Sequence, residues 1–210
     1  MKNETRKAMA EAAILPALYK MFSKCFYYPD GDLADMIFGG ELTAFLEGFK
    51  SIAGTELEQV TDWIENFRTE DELLEQLRIE YTRMFITAFP HVPAPPYQSF
   101  YLENELCGHA TGEVSEIYHR NGFKVSGEVN EPADHLALLL EFMSRLAEAG
   151  NLVDLEGKFI MKRIWGWIDD FRGRIDEYAA LPFYPFLVHA LIVFLSVRLN
   201  NKNLFTGVSE

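Results

Sequence analysis

One uncharged stretch limits what this chain can fold into more than any other. It reads Phe89-Pro90-His91-Val92-Pro93-Ala94-Pro95-Pro96-Tyr97-Gln98-Ser99-Phe100-Tyr101, with four prolines in seven residues. Each proline lacks an N–H donor and clashes with the preceding turn, so no helix runs through it. The residue before each proline is also pushed to extended geometry. The chain must make a stiff excursion here, ending in aromatic side chains. A long irregular segment inside a compact domain is either functional or disordered, and the aromatic content argues against disorder.

Around this excursion the apolar spacing is helical. Leu15, Leu18, Phe22, Cys25 and Phe26 predict a first helix ending near Tyr28-Pro29. Asp32 reads as the cap of a short helix through Phe38, broken by Gly39-Gly40. Leu42, Phe45, Leu46 and Phe49 line the next. Thr55 with Glu58, and Thr69 with Glu72, have capping-box spacing. The helices they introduce carry Leu57, Val60, Ile64 and Phe67, then Leu73, Leu77, Tyr81 and Met84 or Phe85. Beyond the prolines, Val114, Ile117 and Tyr118 predict a helix stopping at Asn121-Gly122, followed by a connector over Phe123–Asn130. Pro132 suits the first turn of a helix carrying Leu136, Leu139, Leu140, Met143 and Leu146. One long helix is expected from Leu155 to Ile175, and Pro182 separates it from a final apolar helix closing near Asn200-Asn201.

No run alternates as a strand does. The expected fold is all-α: a single-domain bundle of nine to eleven helices over residues 1–210, with a proline-rich loop and loose ends at 1–8 and 202–210. Residues 179–197 carry no Asp, Glu, Lys or Arg and approach the length of a membrane span. Pro182, Pro185, His189 and Ser196 favour the buried central helix of a bundle instead.

Nineteen basic against 32 acidic residues give a net charge of −13. That argues against nucleic acid and against an anionic membrane surface; it suits a basic peptide or protein partner, although charge taken alone reads first as a solubility device. Two cysteines, Cys25 and Cys107, form no disulfide framework or zinc spacing and suit a reducing compartment. Glu11 interrupts the weak apolar stretch near the N-terminus, so no secretory signal is read there.

Nucleotide, zinc-protease and hydrolase motifs are absent, so no catalytic residue and no cofactor is assigned. Glu116-Ile117-Tyr118-His119 matches one Glu-x-x-His, but helical di-iron sites need two copies and further glutamates. A metal-dependent helical oxidoreductase built on Glu116 and His119 is therefore an alternative reading, and an adaptor bundle without a peptide groove is another. No metal is assigned.

Two segments together resemble a known family. Glu80-Tyr81-Thr82-Arg83-Met84-Phe85 leads into Pro93-Ala94-Pro95-Pro96-Tyr97-Gln98-Ser99-Phe100-Tyr101, and Glu131-Pro132-Ala133-Asp134-His135 precedes Leu140-Glu141-Phe142-Met143. This combination is similar to the TorD/DmsD/NarJ family of redox-enzyme maturation chaperones, whose pattern is a Tyr-x-Arg-x-Phe helix, a proline loop with Pro-Tyr-x-Ser, and a Glu-Pro-x-Asp-His helix start. The run Phe183-Tyr184-Pro185-Phe186-Leu187 resembles the start of the family's last helix. The likeness covers about residues 15 to 197. It departs at Lys162-Arg163-Ile164-Trp165-Gly166-Trp167, where many members carry a histidine.

The resemblance implies a cytoplasmic, non-enzymatic chaperone, either a monomer or a helix-exchanged dimer. Its partner is the twin-arginine leader, with parts of the mature chain, of a molybdenum- or tungsten-cofactor oxidoreductase. It holds the precursor until the cofactor is inserted. A receptor for such a leader needs carboxylates for guanidinium forks and an apolar groove. Glu131 and Asp134 supply the first. Tyr97, Phe100 and Tyr101 supply the second, and Ser99 of the motif is counted among the peptide-binding residues. Pro95 and Pro96 stiffen the loop, and His135 suits a peptide carbonyl. Each residue also has a structural alternative: Asp134 at its helix N-terminus, Glu131 as a cap, His135 between helices, Tyr97 and Tyr101 as anchors, Arg83 paired with Glu80. Tyr81, Phe85 and Phe142 read as core.

Overall fold

The structure is a computed structural model describing residues 2–48, 50–88, 90–127, 129–150 and 155–203. Phe49, Phe89 and residues 204–210 of the loose end expected at 202–210 lie outside the described residues, while 202 and 203 belong to the last helix. Eleven α-helices form among them: α1 Lys2–Phe26, α2 Gly31–Phe38, α3 Glu41–Glu47, α4 Lys50–Glu65, α5 Glu70–Tyr81, α6 Gln98–Glu103, α7 His109–Arg120, α8 Leu136–Glu148, α9 Glu156–Ile160, α10 Ile168–Tyr178 and α11 Phe183–Asn203. Two π-helical turns, Thr82–Ile86 and Met161–Trp165, continue α5 and α9. The fold is all-α, and an isolated antiparallel bridge between Tyr97 and His135 is the one extended pairing among the described residues.

The helices gather into two compact units: residues 1–26 with 97–166, and residues 27–96 with 167–210. In the first, α1 and α8 pack antiparallel. Ser23 donates to the Ala137 carbonyl and Ser144 to the Pro16 carbonyl, each within 2.9 Å, pinning both ends of the contact. Tyr19, Phe22 and Phe26 of α1 and Leu136, Leu139, Leu140 and Met143 of α8 are buried. Phe142 holds an aromatic cluster, its ring 4.8 Å from Tyr118, 5.4 Å from Phe123 and 5.1 Å from Phe159.

The second unit is organised by another aromatic set. Phe85 stands 4.9 Å from both Tyr81 and Tyr184, and Tyr184 stands 5.2 Å from Phe183. Phe183, Tyr184, Leu187, Val188, Leu191 and Leu195 of α11 are buried, so this helix, although long and apolar enough to cross a membrane, packs as a core helix. Glu80 is buried and accepts both Arg83 Nε (2.9 Å) and Arg83 Nη2 (2.8 Å). The Ala180 N–H adds a third bond to Glu80 at 2.7 Å, and Arg83 Nη2 also reaches the Tyr178 carbonyl. The Tyr-x-Arg-x-Phe helix is therefore structural: its aromatics fill the core and its arginine ties α5 to the segment before α11.

Several expected boundaries shift. The cap of α2 is Asp30, whose side chain accepts from the Leu33 N–H at 3.0 Å, not Asp32. Thr55 lies inside α4, because α4 starts at Lys50. Thr69 does cap α5, accepting from the Glu72 N–H at 3.3 Å. The long helix expected over Leu155–Ile175 is broken, since α9 widens into its π turn, Gly166 follows, and α10 restarts after Trp167 at φ −140°. Widened turns of this kind displace the helical register. The short helix α6, inside the proline-aromatic stretch, has too few turns to show a periodic signal.

Candidate functional site

The site-bearing residues of the first unit meet where the chain enters α6. The Gln98 N–H donates to the Asp134 carbonyl at 3.2 Å, and the next N–H, of Ser99, donates to Asp134 Oδ2 at 2.8 Å. Asp134 Oδ1 accepts the Thr111 hydroxyl of α7 at 2.8 Å. One carboxylate thus joins α6, α7 and the approach to α8. Gln98 Nε2 reaches the Lys162 carbonyl at 3.2 Å, adding a second tether to α6.

Pro132 stands in a turn before α8, not in its first turn: its carbonyl accepts the His135 N–H at 2.9 Å. The helix starts only at Leu136 because the His135 side chain is its cap. His135 Nδ1 accepts the Ala137 N–H at 3.1 Å. Burial pushes the imidazole down to about 3 from its ordinary 6.5, so it is neutral, with its proton on Nε2. Its ring meets that of Tyr97 edge-on at 5.1 Å.

Asp134 and His135 are both 0% exposed. The expectation of an exposed acid and base at a helix start is therefore corrected. The desolvation of a carboxylate is offset by donors, and Ser99 and Thr111 supply them from inside. Sequence reasoning missed Thr111, because a threonine on an exposed-looking helix face carries no signal of its partner. Tyr118, buried on α7, donates to the Ala133 carbonyl at 2.9 Å and so supports the same turn.

Glu131 is half-buried, and its Oε2 accepts the Tyr97 hydroxyl at 2.7 Å. Among the described residues its other oxygen has no partner. Burial, then the Glu131 hydrogen bond and charge, raise the Tyr97 pKa, so the phenol stays protonated and keeps donating. Phe100 and Tyr101 are half-buried with their rings 5.0 Å apart. From 84 to 119 the sequence holds no Lys or Arg. The arrangement offers a carboxylate oxygen beside the partly accessible Tyr97 ring, a combination that accepts a cation next to an apolar group.

Pro95 and Pro96 belong to the second unit and are buried; the change of unit falls between Pro96 and Tyr97. In that unit the Ala94 N–H donates to the Met84 carbonyl at 3.0 Å, and Arg174 Nη1 donates to the Pro93 carbonyl at 2.9 Å, so the proline segment is fastened. Glu116 is exposed and paired with Arg120 at 2.7 Å, and His119 is exposed one turn away. Among the described residues no three His, Cys, Asp or Glu side chains converge as a metal site would require.

Residues 47–172 match the family model described as nitrate reductase delta subunit. Chaperone protein TorD of Shigella boydii is 26% identical over 151 residues, spanning 69% of this chain and 72% of its own length. TorD of Vibrio vulnificus is 28% identical over 131 residues, 57% of this chain and 60% of that one. Among solved structures, a putative redox enzyme maturation protein from Archaeoglobus fulgidus superposes with a TM-score of 0.57 at 29% identity, covering 87% of this chain and 94% of its own.

Proposed function

Because the chain belongs to the nitrate reductase delta subunit family, the TorD- and NarJ-like maturation chaperones, we propose that it is a molybdoenzyme maturation chaperone. Its client is a molybdenum- or tungsten-cofactor oxidoreductase. It acts in the cytoplasm, binding the client's twin-arginine leader and part of the mature chain until the cofactor is in place.

The observation that carries the reading is the Tyr97–Glu131 corner. A twin-arginine leader presents guanidiniums followed by an apolar stretch. Glu131 keeps one oxygen for a guanidinium, the Tyr97 ring stands beside it, and Phe100 and Tyr101 present half-buried aromatic surface on α6, which starts directly after Tyr97. Guanidinium–carboxylate pairing is directional and charge-assisted, and the aromatic faces accept either the apolar stretch or a stacked arginine. Ser99, Asp134 and His135 act one step back, by holding these rings and the Glu131 turn in place. Pro95 and Pro96 fix the backbone that leads into Tyr97, which lowers the ordering cost of binding.

The test is fluorescence anisotropy with a panel of synthetic molybdoenzyme leaders, each paired with a control whose two arginines are replaced by alanine. Binding that depends on the arginines and weakens about ten-fold in Glu131→Gln supports the reading. If no leader in the panel binds, the reading fails and an adaptor bundle replaces it.

A further inference from the structure

The last turn of α6 and the connector from it to α7 form a surface that none of the motifs above includes. Leu102 is 50% exposed and Leu106 54% exposed, four residues apart, with Glu105 exposed between them. Such a pair on a slack loop means little, since single exposed leucines are ordinary. This loop is held at both ends. Glu103 Oε1 accepts the Ala110 N–H at 2.9 Å and so caps α7. The other Glu103 oxygen fills the space a Cβ on Gly108 would need, which explains the glycine there. Asn104 (φ 54°) and Cys107 (φ 60°) are both left-handed without being glycine. Asn104 is the left-handed C-cap of α6, a position asparagine commonly takes, whereas at Cys107 the same geometry costs about 1 kcal/mol or more and persists where surrounding structure holds it.

Charge narrows the occupant. Glu103 is used on α7, Glu113 on Arg163 at 2.6 Å and Glu116 on Arg120, whereas Glu105 has no partner among the described residues. With no Lys or Arg from 84 to 119, the connector attracts cations and repels a second copy of itself. Its near end also adjoins the Tyr97–Glu131 corner, since Leu102 lies within the six-residue helix α6 that starts directly after Tyr97.

We propose that Leu102 and Leu106 form the apolar seat for the hydrophobic stretch of a cationic segment whose guanidiniums engage Glu131, with Glu105 as a second acidic contact. The assignment rests on the leader reading above and extends its site along the connector.

The probe is the tightest-binding leader of the panel, measured by anisotropy against the wild-type protein and three variants. The double variant Leu102→Ser/Leu106→Ser is expected to lose about ten-fold in affinity per leucine, the scale of one aliphatic side chain leaving a buried contact. Its urea midpoint should match wild type, because both side chains already face solvent. Glu105→Gln should lose several-fold, and the loss should shrink at high salt. Ile79→Ser, at an equally exposed residue of the other unit, should bind as wild type does. If the double variant binds within about two-fold of wild type, the seat is overturned while the leader reading stands. If wild type binds no leader, that reading falls and the seat falls with it. Equal losses in Ile79→Ser, or a self-association that the double variant abolishes in place of peptide binding, also overturn it.

Discussion

The Asp134 carboxylate accepts the backbone N–H of Ser99 at 2.8 Å across 35 positions of sequence, in surroundings with no solvent access. Its second oxygen takes the Thr111 hydroxyl. The acid of the Glu-Pro-x-Asp-His motif is therefore the internal fastener of the Pro-Tyr-x-Ser motif, and the two motifs are halves of one structure. A chain that keeps one of them has reason to keep the other.

Asp134→Ala leaves a buried N–H and a hydroxyl without acceptors and should lower the unfolding free energy by about 2–4 kcal/mol. Asp134→Asn should lose only about 1 kcal/mol, because its oxygen can face Ser99 while its amide donates to a rotated Thr111 hydroxyl. Urea unfolding of the three proteins checks this order. An Asp134→Ala protein of wild-type stability that has lost leader binding would show instead that the acid contacts the ligand.

His135 makes stability depend on pH. Folded, it takes up a proton only near pH 3; unfolded, it does so at its ordinary 6.5. Between these values the unfolded state binds more protons, so the contribution is complete above 6.5 and is lost progressively as pH falls towards 3. The slope from this residue alone is about 1.4 kcal/mol per pH unit. His135→Asn preserves a capping acceptor without the titration. The difference between wild-type and variant unfolding free energies, followed from about pH 6.5 down to about 5, should change at that slope. A constant difference would mean that the ring is not buried and neutral.

Glu80 is buried while Arg83 is partly exposed, so their removal should not be symmetrical. Glu80→Ala strands the Ala180 N–H and releases Arg83 from α5, at about 2–3 kcal/mol. Arg83→Ala should cost about 1–2 kcal/mol, since the Ala180 bond to Glu80 survives. A double-mutant cycle in thermal or urea unfolding should return a coupling of about 1 kcal/mol. Zero coupling would contradict the paired geometry.

The two cysteines should differ sharply towards a thiol reagent. Burial pushes the Cys25 thiol up to about 12, only partly offset by Lys24, whereas Cys107 is exposed. One thiol should react at once in native protein, and the second only with global unfolding. Peptide mapping that finds fast labelling at Cys25 would place α1 differently from the structure.

Much of the fold was legible from spacing alone. Leu73, Leu77 and Tyr81 line the buried face of α5, and Leu136, Leu139, Leu140 and Met143 that of α8, because 3.6-residue periodicity is a local property that each helix writes into its own sequence. The Asn121-Gly122 stop was legible for the same reason: Gly122 adopts φ 69°, which few other residues tolerate. The broken helix around Gly166 was not, since the pattern of Phe159, Ile164, Ile168 and Phe171 continues almost in phase across the interruption.

What the sequence determined by itself was an all-α chain, with a stiff proline excursion and a set of motifs whose order resembles the maturation chaperones. These follow from backbone sterics and local periodicity, which need no partner to act. What only the tertiary structure decided was the job of each polar residue. Asp134 and His135 read in sequence equally as ligand contacts or as structural groups at a helix start; folded, they are buried and bonded to Ser99, Thr111 and Ala137. Glu131, the plainer candidate, keeps an oxygen for a ligand, and Leu102 at the end of α6 and Leu106 in the connector after it stand exposed, with Glu103 bonded to α7. Burial and hydrogen-bond satisfaction depend on atoms distant in the chain, so no window of sequence can carry them.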